Sequence, residues 1–369
     1  MPEVVAYIRS STIFDDSRAT KEIIALCEAG HHVIAMGWDR SGLAEEKCLQ
    51  VFSKYQVEFR FFKVRVEGSL GMRNIGKLLA WLRWVNGCLR REPTVTAVHA
   101  CDLDAAVSVT GIARRRKLKF VYDIYDYYVD SHSVPRQLAG LVERLEIKVI
   151  NGADLTIICT EERKEQIQKA SPKRLLVIHN SPDVPARPDL KDCRYDYAYC
   201  GSLYEDRLLG EIFGRYPQNS DLKFAVAGYG NCEGMARGLA QQYSNFTFFG
   251  AVPYSQVLDI ENNTKVISAI YDPANKNNRL AAPNKFYEAL ALGKPVIVCA
   301  GTGIAKIVEQ YKVGRVIDYD GEQFYRALRE LLASEALRAE MGARARKLYD
   351  EKYRWDIMRR RLQEANEKM

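Results

Sequence analysis

Long apolar runs are missing from this chain of 369 residues. None approaches the roughly 20 residues that span a bilayer. The first residues, MPEVVAYIRS, enter an apolar strand without the charged-then-apolar order of a secretion signal, so we expect a cytoplasmic protein. The 47% hydrophobic and 27% charged residues are typical of a globular protein, and the length is sufficient for two domains.

Paired cysteines and the common catalytic motifs are missing as well. The nine cysteines include no C-x-x-C pair, which argues against a zinc site or a disulfide framework. The sequence has no G-x-S-x-G, G-x-x-x-x-G-K-[ST] or H-E-x-x-H motif. No G-x-G-x-x-G follows the first strand, so a dinucleotide cofactor is not indicated.

Positive charge is abundant and unevenly placed. The whole chain carries +7, whereas thirteen basic residues against four acids between Arg60 and Lys119 give a local +9. This stretch suits an anionic lipid surface or a nucleic acid, although no nucleic-acid reader motif accompanies it. Within it, residues 72–91 mix Trp81 and Trp84 with basic side chains. This mixture predicts either a helix at an anionic membrane surface or an amphipathic helix that covers a sheet.

Short apolar strands alternate with helical patterns through both halves of the chain. The strands predicted in the first half lie at 4–8, 31–36, 95–99, 120–123 and 155–159. Those predicted in the second half lie at 197–199, 224–227, 246–249, 266–271, 296–299 and 314–317. The helix predicted at 17–29 makes a βαβ unit with the strands around it, which implies a parallel sheet. Three prolines in 181–189 mark the connection between two doubly wound, Rossmann-like α/β domains with a cleft between them.

The strongest candidate site lies in residues 272–298, where a polar loop precedes a helix that begins with Pro283-Asn284-Lys285. The free N–H groups and the dipole of a helix start attract anions. Lys285 adds a cation there, and Glu288, one turn on, could accept hydrogen bonds from a diol. We interpret this stretch as the site for the diphosphate and ribose of a sugar nucleotide.

Three loops after strands of the same domain extend this site. Gly201 lets the backbone approach a phosphate, and Arg207 offers a forked cation. Arg207 could instead be a solvated helix residue. The later glycine turns at Gly228 and Gly250 could line the site and read a nucleobase edge, or they could be ordinary turns. We expect Arg207 and Lys285 to be catalytic. The residues expected to bind the donor are Gly201, Ser202, Gly228, Gly230, Gly250, Val252, Asn278, Pro283, Asn284 and Glu288.

Polar residues at strand ends mark the first domain. Asp123 and Asp126 follow one predicted strand and His99 ends another, and such groups are costly at the mouth of a parallel strand unless they are used. Asp126 could orient an acceptor hydroxyl or act as a base, or it could cap the next helix. Asp102 and Asp104 fit either a metal pair or helix caps, and we favour capping.

These motifs, in this order, resemble the glycosyltransferases of the two-Rossmann (GT-B) architecture, retaining family 4. The resemblance covers nearly the whole chain. It is carried by Asp16-Ser-Arg18, Val98-His99, Tyr122-Asp123-Ile-Tyr-Asp126, Asn151-Gly-Ala-Asp154, Val177-Ile-His-Asn180, Gly201-Ser202 with Arg207, Gly228-Tyr-Gly230, Phe249-Gly250, and Glu288 with Gly293-Lys-Pro295. It implies that Arg207 contacts the diphosphate and Glu288 the ribose, and that the turn at 249–250 contacts the nucleobase.

The resemblance also implies how the chain is divided. A C-terminal helix would cross back, so that residues 1–185 with 354–369 form the acceptor domain and residues 190–353 the nucleotide-sugar domain. The residues expected to bind the acceptor are Ser11, Arg18, His99, Asp123 and Tyr125.

Two positions depart from the family pattern. Leu280 replaces an expected acid, so contacts with the donor sugar would fall to neighbours such as Asn277 or Arg279. Tyr125 stands where a histidine is frequent.

The function implied is sugar transfer from a UDP or GDP sugar to an acceptor hydroxyl, without metal or cofactor. If the basic stretch binds membrane, the expected acceptor is a lipid-linked saccharide of cell-envelope polysaccharide assembly, and the protein would lie at the inner face of the cytoplasmic membrane. Leu280 and Tyr125 leave open a non-catalytic sugar-nucleotide or glycan binder. A nucleotide-sugar 2-epimerase shares the form, but the cleft acids and histidines that it needs have no place in this sequence.

Overall fold

The computed structural model describes residues 2–40, 42–65, 74–132, 134–184 and 193–369. The chain divides into two compact units, which we call unit 1 (Met1–His179 with Met358–Met369) and unit 2 (Asn180–Ile357). The first residues of the predicted 72–91 helix and most of the proline-rich 181–189 segment lie outside the described residues. In the parts that are described, no helix combines the length and hydropathy needed to cross a membrane.

Unit 1 is built on one parallel sheet. Its strands are β1 (Val4–Arg9), β2 (His32–Asp39), β3 (Val57–Lys63), β4 (Ala97–Cys101), β5 (Lys119–Ile124), β6 (Leu155–Ile158) and β7 (Leu175–Val177). Its helices are α1 (Ser17–Glu28), α2 (Ala44–Val51), α3 (Ile75–Arg91), α4 (Leu103–Arg116), α5 (Tyr128–Ser131) and α6 (Arg136–Gly152). The strand order is β3-β2-β1-β4-β5-β6-β7, so the winding reverses between β1 and β4.

Two helix layers cover the sheet of unit 1. Apolar residues of α1 and α2 pack on one face, and those of α3, α4 and α6 pack on the other. In α3, Trp81 is fully buried and stacks on Trp38 with 5.6 Å between ring centroids. Trp84 stacks on Trp81 at 5.5 Å and also contacts Phe62. Since Trp81 belongs to the core and the partly buried Trp84 packs against it, the structure favours the sheet-covering interpretation of this helix.

Unit 2 repeats the architecture with a parallel sheet of six strands. These are β8 (Tyr195–Ser202), β9 (Phe224–Tyr229), β10 (Phe246–Phe248), β11 (Thr264–Ala269), β12 (Val296–Cys299) and β13 (Gly314–Ile317). The helices are α7 (Leu209–Arg215), α8 (Glu233–Gln242), α9 (Tyr254–Asn262), α10 (Lys276–Arg279), α11 (Asn284–Ala291), α12 (Gly303–Tyr311), α13 (Gly321–Ala333) and α14 (Glu335–Leu348). The strand order is β10-β9-β8-β11-β12-β13, with its reversal between β8 and β11.

The C-terminal helix α15 (Trp355–Glu367) returns to unit 1. Gln363 donates from Nε2 to the Ala25 carbonyl at 2.9 Å, and Arg359 Nη1 lies 2.7 Å from Glu28 Oε2. These contacts place the helix against α1. The predicted α/β class, the doubly wound sheets and the returning helix are confirmed.

Candidate active site

The donor residues predicted from the sequence gather where the strand order of unit 2 reverses. Parallel sheets bind ligands at such a point, because the loops that follow the two diverging strands leave a crevice there. Gly201 and Ser202 end β8, Tyr271 follows β11, and Lys285 lies in the first turn of α11. The chain therefore brings side chains from three separate segments to one edge of the sheet.

Lys285 is a buried cation at this edge, with only 7% of the residue exposed. Its Nζ lies 4.7 Å from the centroid of the Tyr199 ring. Burial by itself would lower the pKa of Lys285, but Tyr199, Tyr271 and Glu288 outweigh burial and raise it. The ammonium therefore stays charged. It lies so close to the backbone of Gly201 that a Cβ there would be 2.5 Å from Nζ.

Arg207 supplies the second cation of the site. It closes a 3₁₀ turn, Glu205–Arg207, and its guanidinium carbon lies 3.9 Å from the centroid of the Tyr271 ring. Its Nη1 lies 2.5 Å from Asp206 Oδ2 and 3.4 Å from Asn278 Oδ1. Cation–π contact and hydrogen bonds fix the plane of the guanidinium, which prepares it for two-point contact with an anion.

The loop before α11 is held by its own asparagines. The side chain of Asn275 caps α10 by accepting from the backbone N–H groups of Asn277 and Asn278. Asn278 is buried, and its Nδ2 donates to Asp206 at 3.2 Å. Pro283 occupies the N-cap position of α11, one residue earlier than the first helical turn to which the sequence assigned it. Asn284, the first helical residue, pairs with the side chain of Asn180.

Glu288, which is predicted to contact a ribose, is almost fully buried, so little of its carboxylate is open to solvent. The hydroxyl of Tyr254 is hydrogen-bonded to it, and burial followed by Glu288 raises the pKa of this tyrosine far above its usual value. Although 40% of the Tyr254 residue is exposed, its hydroxyl end is the buried part and lies against Glu288. The tyrosine hydroxyl therefore occupies a hydrogen-bonding position on the Glu288 carboxylate.

Glu261 is a further acid beneath this site that sequence reasoning missed. It is fully buried in α9, and neither carboxylate oxygen has a hydrogen-bond partner among the described residues. Burial and the nearby Glu288 raise its pKa well above the ordinary range, with Lys285 opposing them. The available signal was its spacing, since Glu261 follows Val257 by four residues and extends the apolar face of α9.

The predicted glycine turns bring strand ends into close backbone contact. A Cβ at Gly228 would lie 1.8 Å from the carbonyl oxygen of Gly201, and one at Gly230 would lie 2.4 Å from that of Leu203. The Gly228 N–H also donates to the Gly250 carbonyl at 2.8 Å. Because these glycines have no side chain, the loops that follow β8 and β9 can pack backbone against backbone. Val252, two residues on from Gly250, is half-buried.

Three of the predicted acceptor residues form a buried ion cluster in unit 1. Arg18 lies 2.6 Å from Asp123 and 3.0 Å from Glu22, and it donates to the Ile178 carbonyl at 2.9 Å. His99 Nε2 lies 3.5 Å from both acids. Burial alone would raise the pKa of Asp123, but Arg18 and His99 lower it, whereas burial and Asp123 raise that of Glu22.

This cluster also includes a possible metal-ligand set. Glu22, His99, Cys101 and Asp123 offer ligand atoms that lie within 4.8 Å of one another. The guanidinium of Arg18 already balances the charge of Asp123, and the raised pKa of Glu22 favours its neutral form, so the charges of the cluster are offset by a side-chain cation. We interpret the cluster as a structural element that fixes the position of Tyr125 and Asp126, the residues next to it at the end of β5.

Tyr125 and Asp126 lie above the cluster, at the carboxyl edge of β5. The Tyr125 ring lies between the guanidinium groups of Arg9, at 4.2 Å, and Arg18, at 4.7 Å. Its hydroxyl lies 2.9 Å from that of Tyr7. Asp126 is half exposed and accepts from Arg163 at 2.8 Å. Of the predicted unit 1 residues, Tyr125, Asp126 and the partly exposed Ser11 are those that solvent reaches.

The helix-cap interpretation of Asp102 is wrong. Asp102 holds the N-cap position of α4, but its φ of 64° turns the side chain away from the helix and it makes no cap bond. Its Oδ1 instead accepts from the backbone N–H groups of Tyr125, at 2.9 Å, and Asp126, at 3.3 Å, while Arg9 pairs with its other oxygen. Burial raises the pKa of Asp102 to about 6, although Arg9 opposes this. Asp102 thus positions the loop that carries the two acceptor-side residues.

Comparison with known proteins bears on the fold of both units. Residues 207–348 match the model of the family Glycosyl transferases group 1, and no curated protein matches the chain. Among solved structures, Anabaena HepE in complex with UDP-glucose aligns over 100% of both chains, at 13% identity and a TM-score of 0.74. A glycosyltransferase from Rickettsia africae aligns over 100% of both chains, at 12% identity and 0.71.

A sucrose-phosphate synthase from Thermosynechococcus elongatus aligns over 99% of this chain and 98% of its own, at 14% identity and a TM-score of 0.68. The agreement in fold thus extends over both units. The residues that match the Glycosyl transferases group 1 model lie in unit 2, and the chain as a whole has the two-domain GT-B fold.

Proposed function

We propose that this protein transfers a sugar from a nucleoside-diphosphate sugar to an acceptor hydroxyl. The observation that carries the proposal is the pair of cations, Arg207 and Lys285, held against Tyr271 and Tyr199 at the reversal point of the unit 2 sheet. A diphosphate bound there would contact the planar guanidinium of Arg207 and the ammonium of Lys285. UDP or GDP fits this requirement, and the UDP and UDP-glucose complexes of Anabaena HepE favour UDP.

The two cations act when the leaving group departs. As the bond between the sugar carbon and the diphosphate oxygen breaks, negative charge grows on the diphosphate, and preorganised charges stabilise that state. Lys285 and Arg207 provide the positive charge within the protein, so the proposed reaction uses neither a metal ion nor a cofactor. Retention of configuration at the sugar carbon is part of the proposal and follows from the family resemblance.

The ribose is proposed to bind Glu288. A buried carboxylate that holds a tyrosine hydroxyl can exchange it for the two hydroxyls of a ribose without losing its hydrogen bonds. Tyr254 would then move aside as the nucleoside binds. The turn at Gly250 and Val252 is proposed to contact the base.

The acceptor is proposed to bind at the carboxyl edge of the unit 1 sheet. Asp126 exposes half of its carboxylate there, which suits it to orient a hydroxyl. Tyr125 is fixed by Arg9 and Arg18, so it presents a rigid phenol beside that carboxylate. A saccharide offers the hydroxyls that these groups recognise, and we propose a lipid-linked saccharide as the acceptor.

The experiment measures nucleoside-diphosphate release and sugar transfer by the purified protein. Arg207→Ala, Lys285→Met and Glu288→Ala should leave a folded protein whose turnover falls by about 100–1000-fold, the usual loss for one stabilising group. Arg237→Ala is the matched control, because Arg237 is 60% exposed and pairs with Glu233 on α8. Near-normal turnover in Arg207→Ala and Lys285→Met would refute the assignment.

A non-catalytic nucleotide-sugar binder is the second candidate. Leu280 favours it, because this apolar residue is buried where the family pattern expects an acid for the donor sugar. Thermal stabilisation by UDP or UDP-glucose without release of diphosphate, over a panel of saccharide acceptors, would identify the protein as a binder.

A further inference from the structure

The helix layer formed by α3, α4 and α6 on one face of unit 1 is strongly basic. These three helices contain ten basic and three acidic residues. Two of the acids, Asp104 and Glu146, are buried. The third, Glu143, is paired with Lys169. The outer surface of the layer therefore carries almost only positive charge, which favours an anionic partner.

On this basic surface α6 presents an apolar face. Leu138, Leu141 and Leu145 are 45%, 65% and 40% exposed. Their spacing of three and four residues places them side by side on the helix. The opposite side of α6 is buried, with Glu146 and Ile150 in the interior. Three adjacent leucines in water are unfavourable unless something covers them.

Cations flank this apolar face. Arg144 and Lys148 are exposed on the same helix, and in the part of the chain that is described neither forms an ion pair or a side-chain hydrogen bond. Apolar side chains bordered by unpaired cations are the pattern of a helix that lies in the interface of an anionic membrane. Lysine and arginine also reach toward lipid phosphates while their apolar stems stay near the acyl chains.

A groove between α3 and α4 adds a second feature to this surface. Its volume is about 520 Å³, and its lining includes the exposed Arg83 and Arg90 together with Leu82 and Ser108. Arg83 and Arg90 are seven residues apart on α3, about two helical turns, so both lie on the same side of the helix. Two guanidinium groups beside an apolar lining suit a phosphate with an attached apolar chain. Since α4 contacts both α3 and α6, the groove and the leucines belong to one continuous layer.

We propose that the outer surface of α3, α4 and α6 binds an anionic lipid bilayer, with Leu138, Leu141 and Leu145 inserted among the acyl chains and Arg83 and Arg90 on lipid phosphates. A second copy of the chain is a poorer occupant. Self-association would oppose like charges, and three leucines are far fewer than the roughly 20 residues a side of a stable interface. This proposal rests on unit 1 alone and does not depend on the donor site of unit 2.

Sedimentation of the full chain with vesicles tests the proposal. The wild type should bind vesicles of phosphatidylcholine containing about one-third phosphatidylglycerol, and binding should weaken at high salt and be absent with phosphatidylcholine alone. Leu138→Ser/Leu141→Ser/Leu145→Ser should reduce binding by about tenfold or more. Arg83→Gln/Arg90→Gln should reduce it by about 30-fold, since each basic residue near an anionic surface contributes about 1 kcal/mol.

Leu49→Ser is the matched control. Leu49 is 59% exposed and lies on α2, in the helix layer on the other face of the same sheet. It should bind vesicles as the wild type does. Unchanged thermal unfolding and unchanged stabilisation by UDP would show that each variant is folded and that its donor site is intact.

Two outcomes would overturn the proposal. One is the absence of binding between the wild-type protein and anionic vesicles at low salt, or equal binding by the triple leucine variant and by Leu49→Ser. The other is a concentration-dependent dimer that Leu141→Ser disrupts, without any vesicle binding. The second outcome would assign the leucine face to another copy of the chain.

Discussion

Gly201→Ala tests the donor site by a single methyl group. Gly201, the residue before the last in β8, has a φ of 142°, and the added Cβ would lie 2.5 Å from Lys285 Nζ. The clash is with the free end of a flexible side chain, so we expect the ammonium to move and the sheet to stay. The variant thus displaces the proposed catalytic cation without removing it.

The size of the effect follows from the geometry. To reach an ordinary contact distance Nζ has to withdraw by about 1 Å, and a misplacement of that size can cost about 100-fold in rate. The backbone strain of alanine at this φ should cost about 1–3 kcal/mol of stability. We therefore expect a folded, somewhat less stable protein with about 1% of the wild-type turnover.

Diphosphate release and thermal unfolding are the two measurements. Gly214→Ala in α7 is the control, since a Cβ there meets no atom within 4 Å, and it should leave both measurements near wild type. In a Lys285→Met background, Gly201→Ala should cause little further loss of turnover, because the group that it displaces is already gone. Wild-type turnover in Gly201→Ala, or a full further loss in the double variant, would refute the reasoning.

Three other perturbations follow from the buried charges. Arg18→Met should lower the free energy of unfolding by about 3–5 kcal/mol in urea titrations, because it leaves Asp123 buried without its cation; no loss would contradict the cluster's structural role. Glu261→Gln should be more stable than wild type by an amount that grows as pH rises above about 4.5. The raised pKa keeps Glu261 protonated in the folded protein while the same acid ionises in the unfolded chain, so the difference in unfolding free energy between variant and wild type grows by at most about 1.4 kcal/mol per pH unit. Urea titrations at pH 5 and pH 8 measure this difference. A difference that does not change with pH would contradict the raised pKa of Glu261. Tyr254→Phe should bind UDP more tightly by calorimetry, since nothing then competes for Glu288, and weaker binding would place Tyr254 among the groups that hold the nucleotide.

The sequence predicted the central strands of both sheets because these strands are covered on both faces and read as continuous apolar runs. It missed β3 and β7, which are the two edge strands of unit 1. In β3 the apolar residues are interrupted by Glu58 and Arg60, because an edge strand has one side open to water. The sequence also predicted that the Gly201, Arg207 and Lys285 segments belong to one site, and the structure brings them to one edge of the unit 2 sheet. Their roles in sugar transfer stay a prediction.

What the tertiary structure alone decided is which partner each side chain meets. Trp81 packs on Trp38, forty-three positions earlier in the chain, and so leaves the surface. Asp102 turns from its own helix to the loop after β5, and Tyr254 reaches Glu288 from another helix. Local sequence fixes strands, helices and glycine turns because those depend on neighbours within a few residues. Burial, charge pairing and access to a ligand depend on groups that only the folded chain brings together.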